Sequence, residues 1–140
     1  MTRRRPIGRR LVLDNEAASA LLRGPSAKRR RVIEALAAAD GGALAPTAVR
    51  VEALWDRRAP VAAPANKLVP DDDTLDRPGT DRAAELRVSV PAASSVDACV
   101  AAAAERAAVP GGPVEVLTSD PRNIAALAAQ LEGRFDIRRL

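Results

Sequence analysis

Four carboxylates stand out among the residues able to do chemistry. Asp14 follows the apolar run Leu11-Val12-Leu13. Glu52 sits in the stretch PTAVRVEALW, Asp97 opens a long alanine-rich run, and Asp120 precedes Pro121. An oxygen-only ligand set suits hard cations such as Mg²⁺ or Mn²⁺, which keep several of their waters. Such an ion activates water and neutralises charge on a phosphodiester. The remaining inventory is poor. The chain has no histidine, which excludes imidazole acid–base chemistry, Ser-His-Asp and Cys-His catalysis, and histidine-ligated metals. One cysteine, Cys99, excludes a disulfide framework and a multi-thiolate zinc site.

Each acid also has a plain structural use. Asp120 before Pro121 is a good helix N-cap followed by proline at the first helical position, and Asp14 can cap the helix from Asn15. Ser94-x-x-Asp97 has the spacing of a capping box. Against that use, Asp97 is the only charge between Arg87 and Glu105, so it must face a cleft or a partner. Glu52 shares a helical stripe with Ala48, Val51 and Trp55, which predicts its burial. Unpaired burial of a glutamate is expensive, and a divalent ion or an arginine would relieve it.

These residues need elements to position them. Arg10 to Asp14 reads as a short buried strand, with a helix from Asn15 to Leu22 stopped by Gly24-Pro25. Ser26 is expected to cap a second helix to about Ala39, with Val32, Ile33, Leu36 and Ala37 inward. Ala43 to Ala45 is a weak strand and a helix begins at Pro46-Thr47. Lys67 to Val69 reads as another short strand, Asp71 to Asp73 as an acidic turn, and Thr80 to Arg87 as a helix. Ser94 caps a buried helix through Ala98 to Ala104. Pro110 to Pro113 is a turn, Val114 to Thr118 the clearest strand, Pro121 to Leu131 a helix, and Phe135 to Ile137 a last strand. Strands alternating with helices predict βαβ units, a parallel sheet and an α/β fold. In such a sheet ligands gather beyond the carboxyl ends of the strands, where Asp14 and Asp120 would meet.

Composition bounds the function further. The chain has 140 residues and 47% hydrophobic content, enough for one domain with a true core and too much for a disordered chain. One Phe, one Trp and no Tyr argue against aromatic-stacking RNA readers. No apolar run reaches transmembrane length and the first residues lack a secretory h-region, so a cytoplasmic protein is expected, with no membrane partner. The net charge is +4, and residues 1–10 hold five arginines and no acid. They are expected to be a flexible basic arm, with 11–140 as a single domain. Without the arm, 17 basic residues face 18 acidic ones, and setting aside the four candidate ligands leaves 14 acids. A basic surface around an acidic pocket suits nucleic acid. Lys28-Arg29-Arg30-Arg31 reads as a solvated helix face or an RNA contact.

In this order the motifs resemble the PIN-domain family, specifically the VapC-type toxin ribonucleases, over Leu11 to Arg138. LVLDNEAASALL is similar to that family's opening strand and first acid. PTAVRVEALW matches its second-acid motif, with Thr47 five residues before Glu52. SSVDACVAAAA matches the third at a helix start, and VLTSDPRNIAAL the last strand with Thr118, Ser119 and Asp120. The resemblance implies a small three-layer α/β/α sandwich around a central parallel sheet. It implies Mg²⁺- or Mn²⁺-dependent cleavage of RNA, a homodimer, and a cognate antitoxin. It implies Asp14, Glu52, Asp97 and Asp120 as metal ligands, with Asn15, Ser119 and Asn123 as supporting donors. The chain departs from its relatives at Asn123, where another Asp is common, and at Cys99, where a His is common.

Two other readings stand beside this one. The first is a catalytically weak or inactive PIN-like module that binds RNA or protein. The second is a phosphoacceptor receiver domain, but that needs adjacent acids after the first strand and a late lysine. Asn15 separates Asp14 from Glu16, and no lysine follows Lys67.

Overall fold

A computed structural model describes residues 8–108 and 112–140 of the chain. Five parallel strands form one sheet in the order β3-β2-β1-β4-β5. They are β1 (Arg10–Leu13), β2 (Ala43–Pro46), β3 (Asp71–Asp73), β4 (Val114–Thr118) and β5 (Phe135–Arg139). The helices are α1 (Asn15–Arg23), α2 (Ser26–Ala38), α3 (Thr47–Glu52), α4 (Ala63–Leu68), α5 (Arg77–Ser89), α6 (Ser95–Ala108) and α7 (Pro121–Ala128). The chain steps outward from β1 to β3, then returns to the other side of β1 for β4 and β5. Right-handed crossovers then put α1 to α4 on one face and α5 to α7 on the other. The packing agrees, with α1 on α2 and α4, and α6 on α5 and α7. The three-layer α/β/α architecture expected from the sequence is therefore present.

The central strands explain themselves. Leu11, Val12 and Leu13 of β1 and every residue of β4 are buried, as central strands of a sheet covered on both faces should be, with the one charge in β4, Glu115, paired to Arg9 and Arg138. Helix α6 packs against β1, β4, α5 and α7. Its Ala98 and Val100 to Ala104 are buried, and the small side chains let neighbours approach on several sides. Among the described residues no helix is long and apolar enough to cross a membrane.

Several local expectations are corrected. Asp71 to Asp73 form the edge strand β3 and not a turn. Three arginines make this possible. Arg50 Nη1 and Arg57 Nη2 each lie 2.7 Å from the Asp72 carboxylate, and Arg106 Nη2 lies 2.7 Å from Asp73. Charge on an edge strand also discourages pairing with another chain. Residues 67–69 do not form a strand. Lys67 and Leu68 end α4, because the edge beside β2 is already taken by β3. Helix α2 has Pro25 as its cap position without a side-chain bond, so Ser26 does not cap it. Its buried residues are Val32 and Ala35, while Ile33 is exposed. Helix α5 starts three residues earlier than expected, with the Asp76 carboxylate accepting from Gly79 N–H at 2.8 Å.

The stripe through Ala48, Val51, Glu52 and Trp55 does not form. Helix α3 ends at Glu52, and Leu54 takes a left-handed conformation with φ of 57°. That conformation costs about 1–2 kcal/mol for a non-glycine residue. Arg23 supports it, donating from Nη1 to Ala53 C=O at 2.7 Å and from Nη2 to Leu54 C=O at 3.2 Å. The inward residues are Val49, Ala53 and Trp55, and Val51 is 77% exposed.

The last two arginines of the expected arm belong to the fold. Arg10 opens β1, and Arg9 pairs with Glu115 at 2.8 Å and Asp136 at 2.9 Å. The flexibility expected of the arm concerns residues 1–7, which lie outside the described residues. The turn expected at Pro110 to Pro113 lies partly outside them.

Trp55 anchors the outer half of the sheet. Its Nε1–H donates to Asn66 Oδ1 at 2.8 Å, and the Arg57 guanidinium lies 4.8 Å from the ring centre while bonding Asn66, Val69 C=O and Asp72. Trp55→Ala should cost about 3–5 kcal/mol in urea denaturation followed by circular dichroism. Asp72→Asn should cost only about 1 kcal/mol, because that ion pair is partly solvated. Equal costs would contradict this account.

Candidate functional site

The strand order reverses at β1 and β4, so their carboxyl ends border the crevice where ligands collect in open α/β sheets. Asp14 follows β1 and Asp120 follows β4 by two residues. Helix α3 packs against α6 across the same edge, bringing Glu52 toward the start of α6. The result is a cavity of about 390 Å³ lined by Asp14, Asn15, Glu16, Glu52, Ser94, Ser95, Val96, Asp97, Ser119 and Asp120. Five carboxylates and no lysine or arginine line it among the described residues.

Asp14 is 4% exposed. Its Oδ1 accepts from Ala17 N–H at 2.9 Å, capping α1, and its Oδ2 accepts from Ser119 N–H at 3.1 Å. Burial raises its carboxyl pKa above the ordinary aspartate value. The Thr118 hydroxyl and the two backbone N–H groups oppose that rise, and the Glu16 charge adds to it. Asp120 caps α7, accepting from Asn123 N–H at 3.3 Å on Oδ1 and from the Asn123 side-chain amide at 2.8 Å on Oδ2. Capping and cavity lining therefore coexist in both residues. Helix N-termini favour negative charge, so each acid sits where the backbone supports it.

Asp97 lies in the first turn of α6, with its own N–H donating to Ser94 Oγ at 3.0 Å. That is one half of the capping box. Its carboxyl is pushed up, first by burial and then by the charges of Asp120 and Asp14, while the Ser94 hydroxyl holds it down in part. Two acids far apart in sequence thus act electrostatically on a third. Glu52 is exposed on the rim, so the burial cost expected for it does not arise.

Of the seven residues singled out in the sequence, Asp14, Asn15, Glu52, Asp97, Ser119 and Asp120 line the cavity together. Asn123 stands behind Asp120. Glu16, Ser94, Ser95 and Val96 are additional lining residues. Glu16 is placed by the first turn of α1, a position its spacing from Asp14 could have signalled. Thr118 is a further supporting residue. Fully buried, its hydroxyl accepts from Asp120 N–H at 2.9 Å and helps hold down the Asp14 pKa. Cys99 is half-buried with a thiol pushed up by burial, which leaves it a packing residue without thiolate character.

The donor set fits a hard divalent cation, being carboxylate, amide and hydroxyl oxygen throughout. Asn15 Oδ1 is buried without a hydrogen-bond partner, a spare oxygen on a residue that lines the cavity. Among the described residues no three such side chains are close enough to hold an ion as they stand.

No protein-family model matches the sequence, and no curated protein matches it by sequence. Solved structures match the fold. One is the crystal structure of FitAcB from Neisseria gonorrhoeae, with a TM-score of 0.62 and 15% identity, covering 89% of this chain and 96% of that one. Another is FitAB bound to an IR36 DNA fragment, with a TM-score of 0.60 and 16% identity, covering 91% and 94%. At that identity the likeness is one of fold.

Proposed function

We propose that this protein is a Mg²⁺- or Mn²⁺-dependent endoribonuclease, the toxin of a toxin–antitoxin pair. The observation that carries the reading is the cavity at the β1–β4 crevice, lined among the described residues by five carboxylates and no lysine or arginine. An RNA phosphate would be repelled from it unless a positive ion intervened. Asp14, Glu52, Asp97 and Asp120 would hold that ion, with Asn15 and Ser119 beside them and Asn123 fixing Asp120. When bound, it supplies a water of lowered pKa and offsets charge on the phosphodiester. The protein's own part is positioning. Backbone N–H groups of Ala17 and Ser119 fix Asp14 in one rotamer, and the Asn123 amide does the same for Asp120. Ser94 sets the start of α6 and with it the approach of Asp97. The toxin assignment, with an antitoxin and a homodimer, rests on the four VapC-like motifs and draws support from the fold shared with FitAB.

One observation favours a second reading, a catalytically weak module that binds RNA or protein. The carboxylates are not drawn together as they stand, and Asn123 adds no further charge. Purified protein incubated with mixed RNAs separates the two. Under the nuclease reading, cleavage requires Mn²⁺ or Mg²⁺, stops with EDTA, and falls at least about a hundredfold in Asp97→Asn. Cleavage that persists in EDTA, or none in any metal, would sink it.

The same variant separates site loss from unfolding. The folded pKa of Asp97 lies above its unfolded value, so the unfolded chain releases its proton first as pH rises. Stability contributed by protonated Asp97 is present at low pH and is lost as pH rises through the folded pKa. Asp97→Asn in EDTA should therefore melt higher than wild type at pH 7, and the difference should vanish below about pH 4. Added Mn²⁺ should raise the melting temperature of wild type and not of the variant. A variant that melts lower than wild type at pH 7 contradicts this.

A further inference from the structure

A second concavity adjoins the acidic one. Helices α5 and α6 flank a groove of about 540 Å³ whose walls include Thr80, Ala83, Ala84, Val88 and Cys99. Its surface is mainly aliphatic, and Val88 is 81% exposed. Ser95 lines both this groove and the acidic cavity, so the two are neighbours. Arg87 stands at the seam, donating from Nη1 to Ser95 Oγ at 3.1 Å. No carboxylate lies within 4 Å of its guanidinium among the described residues, although Arg82 on the same helix is paired with both Glu85 and Glu105. The groove lining itself contains no acid.

We propose that this groove is a nucleotide subsite, holding the residue of an RNA strand next to the phosphodiester at the carboxylates, with Arg87 as its recognition residue. The inference rests on the nuclease reading for the identity of the strand. Its chemistry is independent of that reading. A guanidinium has five N–H donors, and Ser95 occupies one, leaving donors for a phosphate oxygen. Its planar face can also stack on a base. The chain has one tryptophan and one phenylalanine, and Trp55 is buried, so aromatic stacking is in short supply. The aliphatic walls of the groove accept the rest of a base or ribose, and its volume lies within the range of small-ligand sites. A cation placed between an apolar groove and an acidic cavity fits a ligand that is anionic at one end and apolar at the other.

The test uses one short fluorescent RNA, full-length wild type, and the variants Arg87→Ala, Arg87→Lys and Ala84→Trp. Cleavage is followed in Mn²⁺ and binding by anisotropy in EDTA. Both altered side chains are exposed, so melting temperatures should match wild type. Arg87→Ala and Ala84→Trp should each raise KM about tenfold with kcat within about threefold. Arg87→Lys should recover part of the loss, and Arg87→Ala should lower the salt slope of log KM by about 0.7. If wild type cuts and both variants keep its KM, the subsite is overturned and the nuclease reading stands. If only Arg87→Ala has an effect, the phosphate contact lies outside the groove and the subsite is again overturned. If wild type binds the RNA without cutting it and binding weakens in both variants, the subsite is supported and the nuclease reading fails. A change from dimer to monomer in light scattering with unchanged KM identifies the groove as a subunit interface and overturns the proposal.

Discussion

The carboxylate of Asp14 is the joint on which the site depends. One oxygen accepts from the first turn of α1 and the other from the backbone after β4, so a single side chain ties both elements to the end of β1. Thr118 supports the joint from β4, favouring the charged form of Asp14 while accepting from Asp120 N–H. The sheet register sets this up, since Leu13 pairs with Leu117 and leaves the next residues of both strands side by side. Burial makes the charge on Asp14 unfavourable, and its N–H donors offset the cost only in part.

That unfavourable charge is shared. Asp97 feels both Asp14 and Asp120, and Glu16 adds to the field at Asp14. Folding concentrates like charge at one edge of the sheet while pairing many of its other acids with arginine. Asp72, Asp73, Asp76, Glu105 and Glu115 each have an arginine within about 3 Å. The contrast separates acids that hold the fold together from acids that the fold leaves without cations. It also explains how an overall basic chain can carry an acidic cavity: among the described residues seven arginines pair with carboxylates, and none of those carboxylates lines the cavity.

The readable parts of the fold were those with strong local signals. Leu11 to Leu13 is an apolar run, Val114 to Thr118 is rich in β-branched residues, and both are central strands. Ser94 and Pro121 mark helix starts. The unreadable parts were those decided by partners. Three consecutive aspartates are poor strand formers by themselves, and β3 pairs with β2 while arginines from three other places offset its charge. The helix at Glu52 was expected to continue to Trp55 because its residues carry a 3.6-residue pattern. Arg23, about thirty positions earlier, supports the left-handed Leu54 that ends it.

The sequence by itself determined the chemical alphabet of this protein. With no histidine and one cysteine, carboxylates were the strongest candidates for chemistry, and their order along the chain placed three of them at the starts of helices. Only the tertiary structure decided which acids share a cavity. Local pattern cannot distinguish Asp97, which faces like charges, from Asp76, which faces an arginine, because both lie near helix starts. The parallel pairing of β1 with β4 and the packing of α3 on α6 make that distinction. They are long-range contacts, formed between segments whose residues carry no mutual signal until the sheet brings them together.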